Sequence, residues 1–196
     1  MFEILNSEEM KRFEQRQFIK KNSYSYMQKA GNQIFKFIDT NFKNKKSIVV
    51  LCGPGNNGGD GFVIAKHLMK QGYFVDVYTY IDEGNYKGDA LKALKEFKGS
   101  LKKINTFKLQ KDAVIVDALF GIGLKRNIKG ILSKVFRKIN ISKNTVVSVD
   151  IPSGVCSNTG EILGSAIKAD FTITFHRKKI GHVVGFGKEF SGIIRV

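Results

Sequence analysis

The sequence contains few of the residues that usually build metal centres or disulfide frameworks. It has two cysteines, three histidines, two prolines and no tryptophan. The two cysteines form no CxxC pair, and the histidines lack the HxH or HxxxH spacing of a zinc site. We interpret Cys52, at the end of an apolar segment, as buried packing. The sequence therefore argues against a zinc protein and against a disulfide-stapled secreted domain.

Long apolar segments are missing as well. No apolar run reaches the roughly 18 residues of a membrane span. Residues 1–5 also lack the basic and apolar regions of a secretory signal. We therefore expect a cytoplasmic protein with no membrane partner.

Acidic residues are scarce. The chain has 17 Asp and Glu against 33 Lys and Arg, which gives a net charge of +16. An excess of this size occurs in nucleic-acid-binding proteins, but here the basic residues are spread along the whole chain without an arginine-rich arm. We therefore expect no nucleic-acid partner, and we expect the positive surface to favour anionic substrates.

The pattern of apolar residues predicts an α/β domain. The 196 residues are enough for one domain with a full core. Two helices are predicted before residue 43, and β-branched runs then alternate with helical patterns. Such an order predicts a parallel sheet with helices on both faces. The predicted strands are 48–52, 73–80, 113–116, 145–149, 171–175 and 191–196, with a short edge strand at 102–104, and the helix after the first strand is predicted at 61–70.

Polar motifs that contain glycine lie directly after three of the predicted strands. They read GPGNNGGDG at 53–61, DALFGIG at 117–123 and DIPSG at 150–154. Ligands of parallel sheets bind beyond the carboxyl ends of the strands, so the three motifs are expected to share one crevice. One aspartate at a strand end is often only a cap, and a glycine-rich turn can serve packing alone. Three such ends together favour a ligand site.

The residue types suggest two subsites. Asn57, Asp117 and Ser153 offer hard oxygen ligands that suit an alkali or alkaline-earth ion. A second segment, rich in glycine and positive charge, fits a phosphate group, although its two basic residues could equally be solvated. This segment is Gly121, Ile122, Gly123, Leu124, Lys125, Arg126 and Asn127.

Two common nucleotide motifs fit poorly. The spacing Gly53-x-Gly55-x-x-Gly58 is formally a dinucleotide fingerprint, but its acidic partner Asp76 lies inside a predicted strand rather than at its end. No GK[ST] sequence comes after the glycines, so the Walker pattern fails. A conventional NAD-dependent oxidoreductase is therefore a weaker interpretation.

The three motifs closely resemble those of the NAD(P)HX epimerase family, the YjeF N-terminal domain. The resemblance rests on VVLCGPGNNGGDG at 49–61, VDALFGIG at 116–123 and VDIPSG at 149–154, and it covers nearly the whole chain in the right order. YMQKAG at 26–31 resembles the family's LMExAG helix, with Gln28 in place of the glutamate. The resemblance to the family implies one Rossmann-like αβα sandwich over residues 1–196, commonly homodimeric.

The resemblance also implies the substrate and the site. The substrate is NADH or NADPH hydrated at the nicotinamide ring, and the reaction interconverts its R and S epimers for an S-specific dehydratase. Matching residues place potassium at Asn57, Asp117 and Ser153. The substrate contacts that it implies are Asn56, Asn57, Gly58, Gly59, Asp60, Gly121, Ile122, Gly123, Leu124, Lys125, Arg126, Asn127 and Asp150.

Inversion of the hydrated carbon requires a carboxyl group that acts first as an acid and then as a base. Asp150 is our first candidate for this group and Asp60 the second. A non-catalytic nucleotide-binding module of the same fold is the alternative, although retention of three motif aspartates favours an enzyme. In the family a fused dehydratase domain often comes next, so the chain is either a native short protein or part of a bifunctional one.

Overall fold

The computed structural model describes residues 4–20 and 22–196. The strands are β1 (Ile4–Leu5), β2 (Ser47–Cys52), β3 (Phe74–Thr79), β4 (Leu101–Lys103), β5 (Val114–Ala118), β6 (Thr145–Val149), β7 (Phe171–Ile173), β8 (Lys178–Lys179) and β9 (Ile193–Arg195). The helices are α1 (Ser7–Lys20), α2 (Ser23–Asn41), α3 (Asn56–Lys70), α4 (Gly88–Glu96), α5 (Ile131–Asn140) and α6 (Gly187–Phe190).

Seven strands form one sheet in the order β4-β3-β2-β5-β6-β7-β9, and every neighbouring pair in it is parallel. This confirms the predicted α/β sandwich with a parallel central sheet and N-terminal helices. The direction in which the chain adds strands reverses at β2: β3 and β4 are added on one side of it, and β5 and the later strands on the other. Such a reversal opens a crevice at the carboxyl ends of β2 and β5.

The central strand β2 is apolar throughout because both of its faces are covered. Ile48, Val50 and Cys52 belong to a core shared with α2, α3 and α4. Val49 and Leu51 belong to a second core shared with α5. This alternation is the expected pattern of a strand buried between two helical layers.

Helix α3 begins five residues earlier than the sequence pattern predicts. It starts at Asn56, with Gly55 as its N-cap, rather than at residue 61. Three of its first six residues are glycines, which have low helix propensity, and for this reason the sequence pattern predicts the start of the helix too late. Residues 56–61 of the glycine-rich motif therefore form the first turns of a helix, and only residues 53–55 form the loop before it.

Helix α1 lies outside the sheet and is fastened at its N-terminus. β1 pairs with β8 in a separate two-stranded parallel sheet. The backbone N–H of Ser7 donates to Asn158 Oδ1 at 2.8 Å, and Asn6 Oδ1 caps the helix. The Phe13 ring stacks on His176 with centroids 3.4 Å apart. These contacts hold α1 across the carboxyl end of the sheet. Within residues 4–20 and 22–196, no helix combines the length and hydropathy needed to cross a bilayer.

Candidate functional site

A cavity of about 930 Å³ opens at the carboxyl ends of β2, β5 and β6. It brings together the three motifs that sequence reasoning expected in one crevice. The predicted site residues that line it are Asn56, Asn57, Asp60, Gly121, Ile122, Gly123, Leu124, Lys125, Arg126 and Asp150. Gly58, Gly59, Asp117, Asn127 and Ser153 do not line it. Helices α1 and α2 supply a further wall, which sequence reasoning did not predict.

Several glycines of the first motif serve close packing. A Cβ on Gly58 would lie 1.9 Å from the carbonyl oxygen of Gly53, and one on Gly59 would lie 2.6 Å from Met27 Cε. A Cβ on Gly61 would lie 2.7 Å from Cys52 Sγ. These residues let α3 approach its neighbours, so any role of Gly58 and Gly59 in substrate binding would involve backbone groups.

Two other glycines leave open space at the cavity. An added Cβ on Gly55 or Gly123 would meet no heavy atom within 4 Å. One on Gly121 would lie 3.3 Å from Asn57 Oδ1 and 3.4 Å from Asp150 Oδ2. The space above Gly121 therefore lies between an amide and a carboxylate from two different motifs.

Asp117 is buried beneath the cavity floor and its carboxylate is surrounded by donors. Oδ2 accepts from Ser148 Oγ at 2.9 Å and from the Ser153 N–H at 2.8 Å. Oδ1 accepts from Ser153 Oγ at 2.5 Å and from the Leu119 N–H at 3.3 Å. Burial raises the pKa of Asp117, and these hydrogen bonds only partly oppose the rise. Ser153 Oγ also accepts from the Phe120 N–H at 2.9 Å.

The surroundings of Asp117 fit an alkali cation. No basic side chain is among its hydrogen-bond partners, so a buried negative charge there lacks a counterion from the described residues. The amide of Asn57 is also buried, and its Oδ1 atom is the one that could bind a cation; its Nδ2 donor has no acceptor in that part of the chain and is free to donate to a ligand. Neutral and anionic oxygen atoms without thiols or imidazoles are ligands for hard cations.

Asp150, directly after β6, has different surroundings. Its Oδ1 atom accepts from Lys179 Nζ at 2.5 Å and from Thr174 Oγ1 at 3.1 Å. Lys179 is 1% exposed, whereas the Asp150 side chain is 15% exposed and faces the cavity. The backbone of Asp150 has a φ of +66°, a left-handed conformation that is uncommon outside glycine.

Lys179 keeps the Asp150 carboxyl ionised. Burial alone would raise the pKa of Asp150, but the Lys179 ammonium and the hydrogen bonds from Lys179 and Thr174 outweigh burial and hold the pKa below its ordinary value. An ionised carboxylate at a cavity wall can accept a proton at neutral pH. Asp150 is therefore suited to act as a base.

His182 fixes the backbone of Asp150. Its Nδ1 accepts from the Lys179 N–H at 3.0 Å, so the ring proton lies on Nε2, which donates to the Asp150 carbonyl oxygen at 2.8 Å. Burial lowers the pKa of His182 to about 4. The neutral imidazole thus connects β8 to the turn that carries Asp150.

Two further carboxyl groups line the same cavity. Burial raises the pKa of Asp60 well above its ordinary value, and the charges of Asp150 and Glu14 raise it further. Burial likewise raises the pKa of Glu14, with a second contribution from Asp150. Of these three carboxyl groups, Asp150 has a pKa lowered by Lys179, whereas burial raises the pKa of Asp60 and of Glu14; Asp89 also lines the cavity.

Sequence reasoning missed Glu14, Thr174, Lys179 and His182. Glu14 lies in an ordinary amphipathic helix, and the other three come after β7 in a segment whose glycines are not accompanied by aspartate or asparagine. The topology could have identified the three residues after β7, because the residues just beyond each parallel strand lie at the same edge of the sheet.

Comparison with known proteins identifies the family. The model described as YjeF-related protein N-terminus matches residues 23–181. The NAD(P)H-hydrate epimerase of Limosilactobacillus fermentum is 35% identical over 179 residues, which cover 87% of this chain and 83% of that protein. The bifunctional NAD(P)H-hydrate repair enzyme Nnr of Dictyoglomus turgidum is 38% identical over 192 residues, covering 91% of this chain but 36% of that protein.

The chain thus spans about a third of the length of the bifunctional relatives that it matches. Among solved structures, yeast ynu0 has the same fold, with a TM-score of 0.74, 24% identity and coverage of 92% of this chain and 83% of that one. The matched segment contains all three strand-end motifs and most of the cavity wall. The chain belongs to the YjeF-related protein N-terminus family.

Proposed function

We propose that this chain is an NAD(P)H-hydrate epimerase that interconverts the R and S forms of hydrated NADH and NADPH. The carrying observation is the cavity at the carboxyl ends of the sheet, which places Asp150, paired with Lys179, in the same wall as Asp60 and Glu14, two carboxyl groups whose pKa values burial raises. Relatives of similar length are named NAD(P)H-hydrate epimerases. A cavity of about 930 Å³ is large enough for a nucleotide-sized ligand.

The chemistry of the substrate requires proton transfer at one carbon. Protonation of the hydroxyl lets it leave as water while the adjacent ring nitrogen forms an iminium, and water then adds to the other face. In this proposal Asp150 accepts the proton of water, and its contact with Lys179 keeps it in the ionised form that a base requires. The acid role, which the sequence also suggests for Asp150, fits a neighbouring carboxyl with a raised pKa better.

The segment from Gly121 to Asn127 is proposed to bind the pyrophosphate. Gly121, Gly123, Lys125 and Arg126 line the cavity, and the two basic side chains are exposed at its mouth. Helix α3 begins at the same cavity, so its N-terminal N–H groups favour an anion there. Asn56 and Asn57, at the start of this helix, are proposed to contact the substrate as well.

Potassium is the cation that we propose for the Asn57, Asp117 and Ser153 site. The buried Asp117 carboxylate, whose hydrogen-bond partners include no basic side chain, supports a monovalent cation held by oxygen atoms, to which Asn57 would contribute its Oδ1 atom. When bound, the ion would offset negative charge near the pyrophosphate and fix the α3 start against β5. The side chains described above bind and orient the substrate and transfer the proton.

The first experiment measures the rate at which the R and S forms of NADPHX equilibrate in the presence of the protein, in potassium buffer and then in sodium buffer. We expect acceleration over the spontaneous rate that weakens when potassium is removed. Acceleration without cation dependence would remove potassium from the proposal. No acceleration by folded protein that still binds NADPHX would indicate a non-catalytic binding module.

Three broader proposals accompany this function. We propose that the protein works as a homodimer in the cytoplasm, and that a dehydratase, fused or separate, consumes the S epimer. The bifunctional relatives support the link to a dehydratase. Sedimentation of the purified protein tests the dimer.

A further inference from the structure

Helix α1 adds to the cavity a carboxyl group that none of the strand-end motifs supplies. Glu14 lies in the second turn of α1 and lines the cavity together with Met10 and Phe13. The helix is held in place by the β1–β8 pairing and by the stack of Phe13 on His176. Glu14 therefore reaches the cavity from an element outside the sheet, whereas Asp150 reaches it from the end of β6.

The charges around Glu14 come from several elements. Asp150 and Lys179 act on it from β6 and β8, Lys11 acts from its own helix, and Glu14 in turn acts on Asp60 of α3. Burial is the largest influence on the Glu14 carboxyl and favours its protonated form. The remaining ionisable residues of the cavity wall are Tyr26, Lys29, Asp89, Lys125, Arg126 and His176.

These three acids do not form a metal site. In the part of the chain that the structure describes, no group of three His, Cys, Asp or Glu side chains is arranged to hold a metal ion. One of the three, Asp150, already has a cationic partner in Lys179. Two carboxyl groups that reach one cavity from different elements, and whose surroundings shift their pKa values in opposite directions, are instead the arrangement expected of an acid and a base.

We propose that Glu14 is the general acid of the epimerisation and that Asp150 is its base, the two acting on the hydrated carbon from different walls of the cavity. This inference rests on the proposed epimerase function. Glu14 is preferred to Asp60 because its longer side chain projects from a helix that does not contribute to the strand-end floor. Asp60 lies within α3, five residues after its N-cap, and is left to bind the substrate.

The proposed step balances without any further reagent. The Glu14 carboxyl gives its proton to the hydroxyl, the C–O bond breaks with its electron pair leaving on water, and the nitrogen lone pair forms a C=N bond. Water then bonds to the same carbon from the other face, its proton goes to the Asp150 carboxylate, and the C=N pair returns to nitrogen. Return of one proton from Asp150 to Glu14 through water restores the starting state.

The test is the pH profile of kcat for Glu14→Gln. With the wild type, kcat should decline at high pH as the acid ionises and at low pH as the base is protonated. In Glu14→Gln we expect kcat to fall about 100-fold, the alkaline decline to disappear and KM to change less than 3-fold. Formate should partly restore kcat in Glu14→Ala, because it supplies a small carboxylic acid to the vacated space.

Matched variants separate the alternatives. Glu8→Gln makes the same chemical change on an exposed side chain of α1 and should match the wild type. If Glu14→Gln keeps the wild-type kcat and alkaline decline, or if Asp60→Asn alone abolishes that decline, the assignment of Glu14 is wrong while the epimerase function stands. A fall in kcat that formate cannot reverse and that accompanies a loss of Tm also overturns it. A wild type that does not accelerate epimerisation overturns the function itself.

Discussion

Asp117 and Asp150 lie at the ends of nearly identical apolar sequences, VIVDA and VSVDI, yet the fold gives them opposite surroundings. Asp117 is fully buried, accepts four hydrogen bonds from neutral donors and has no cationic partner among them. Asp150 faces the cavity and pairs with the buried ammonium of Lys179. Burial raises the pKa of Asp117, whereas Lys179 overcomes burial and lowers the pKa of Asp150.

The difference shows that the role of a strand-end aspartate depends on the chain segment beyond the neighbouring strand. Asp117 lies within β5 and is paired with Leu51 of β2 and Ser148 of β6, so protein encloses it on both sides, whereas Asp150 comes after the last residue of β6. β6 lies beside β7, and the chain after β7 returns with Lys179 and His182 to hold Asp150. In this fold the carboxylate inside a strand is enclosed by neutral donors, and the carboxylate just past a strand end faces the cavity.

The largest effect is expected from Asp150→Asn. Asparagine cannot accept a proton from water, so epimerisation should slow by about 1,000-fold, within the range of general acid–base catalysis. The substitution also leaves the buried Lys179 charge without an anionic partner, so the Tm should fall. The rate of NADPHX equilibration and a thermal melt measure the two effects. Asp82→Asn, on an exposed side chain, serves as the control, and retention of full activity by Asp150→Asn would remove Asp150 from the mechanism.

Asp117→Asn should act chiefly on stability. One carboxylate oxygen becomes an NH₂ group that cannot accept from the Ser153 N–H or from Ser148 Oγ. Buried donors left without acceptors cost about 2–3 kcal/mol in the free energy of unfolding. Urea denaturation measures this loss. The exposed Asp112→Asn should change it by less than about 0.5 kcal/mol, and equal effects of both variants would contradict the structural role of Asp117.

His182→Gln tests how the turn of Asp150 responds to acid. The pKa of His182 is about 4 in the folded protein against an ordinary 6.5. Between these values the unfolded chain takes up a proton that the folded protein does not, so the free energy of unfolding falls as pH falls. The loss attributable to this residue is about 2–3 kcal/mol near pH 4.5. Glutamine does not titrate, so the variant should lose correspondingly less stability between pH 7.5 and 4.5 in urea denaturation. An identical loss in both proteins would show that His182 does not control this transition.

The parallel sheet and the meeting of the three motifs could be predicted from the sequence because both depend on local patterns. Apolar runs mark buried strands, and glycine with polar residues marks their carboxyl ends. Thus Asn57, Asp60, Gly121 and Asp150 were correctly expected at one crevice. The start of α3 was missed because its glycines serve tertiary contacts with Met27 and Cys52, which local propensity does not contain.

Partners of opposite charge could not be read from the sequence. Lys179 is one of 33 basic residues, and only its burial beside Asp150 distinguishes it from solvated lysines. Glu14 lies 136 residues from Asp150 and belongs to a helix that looks like surface structure. Both depend on how β8 and α1 return to the end of the sheet, which is a property of the whole fold.

The smallest effect is expected from Gly121→Ala, which probes the space between the two subsites. The added methyl group would lie 3.3 Å from Asn57 Oδ1 and 3.4 Å from Asp150 Oδ2, a tight contact without overlap. The methyl group would occupy space that we assign to the substrate, so KM for NADPHX should rise several-fold while the Tm stays constant. Gly84→Ala, outside the cavity wall, also meets no heavy atom within 4 Å and should leave KM unchanged. Similar increases in both variants would contradict a local effect; an increase confined to Gly121→Ala places the substrate between the Asn57 amide and the Asp150 carboxylate.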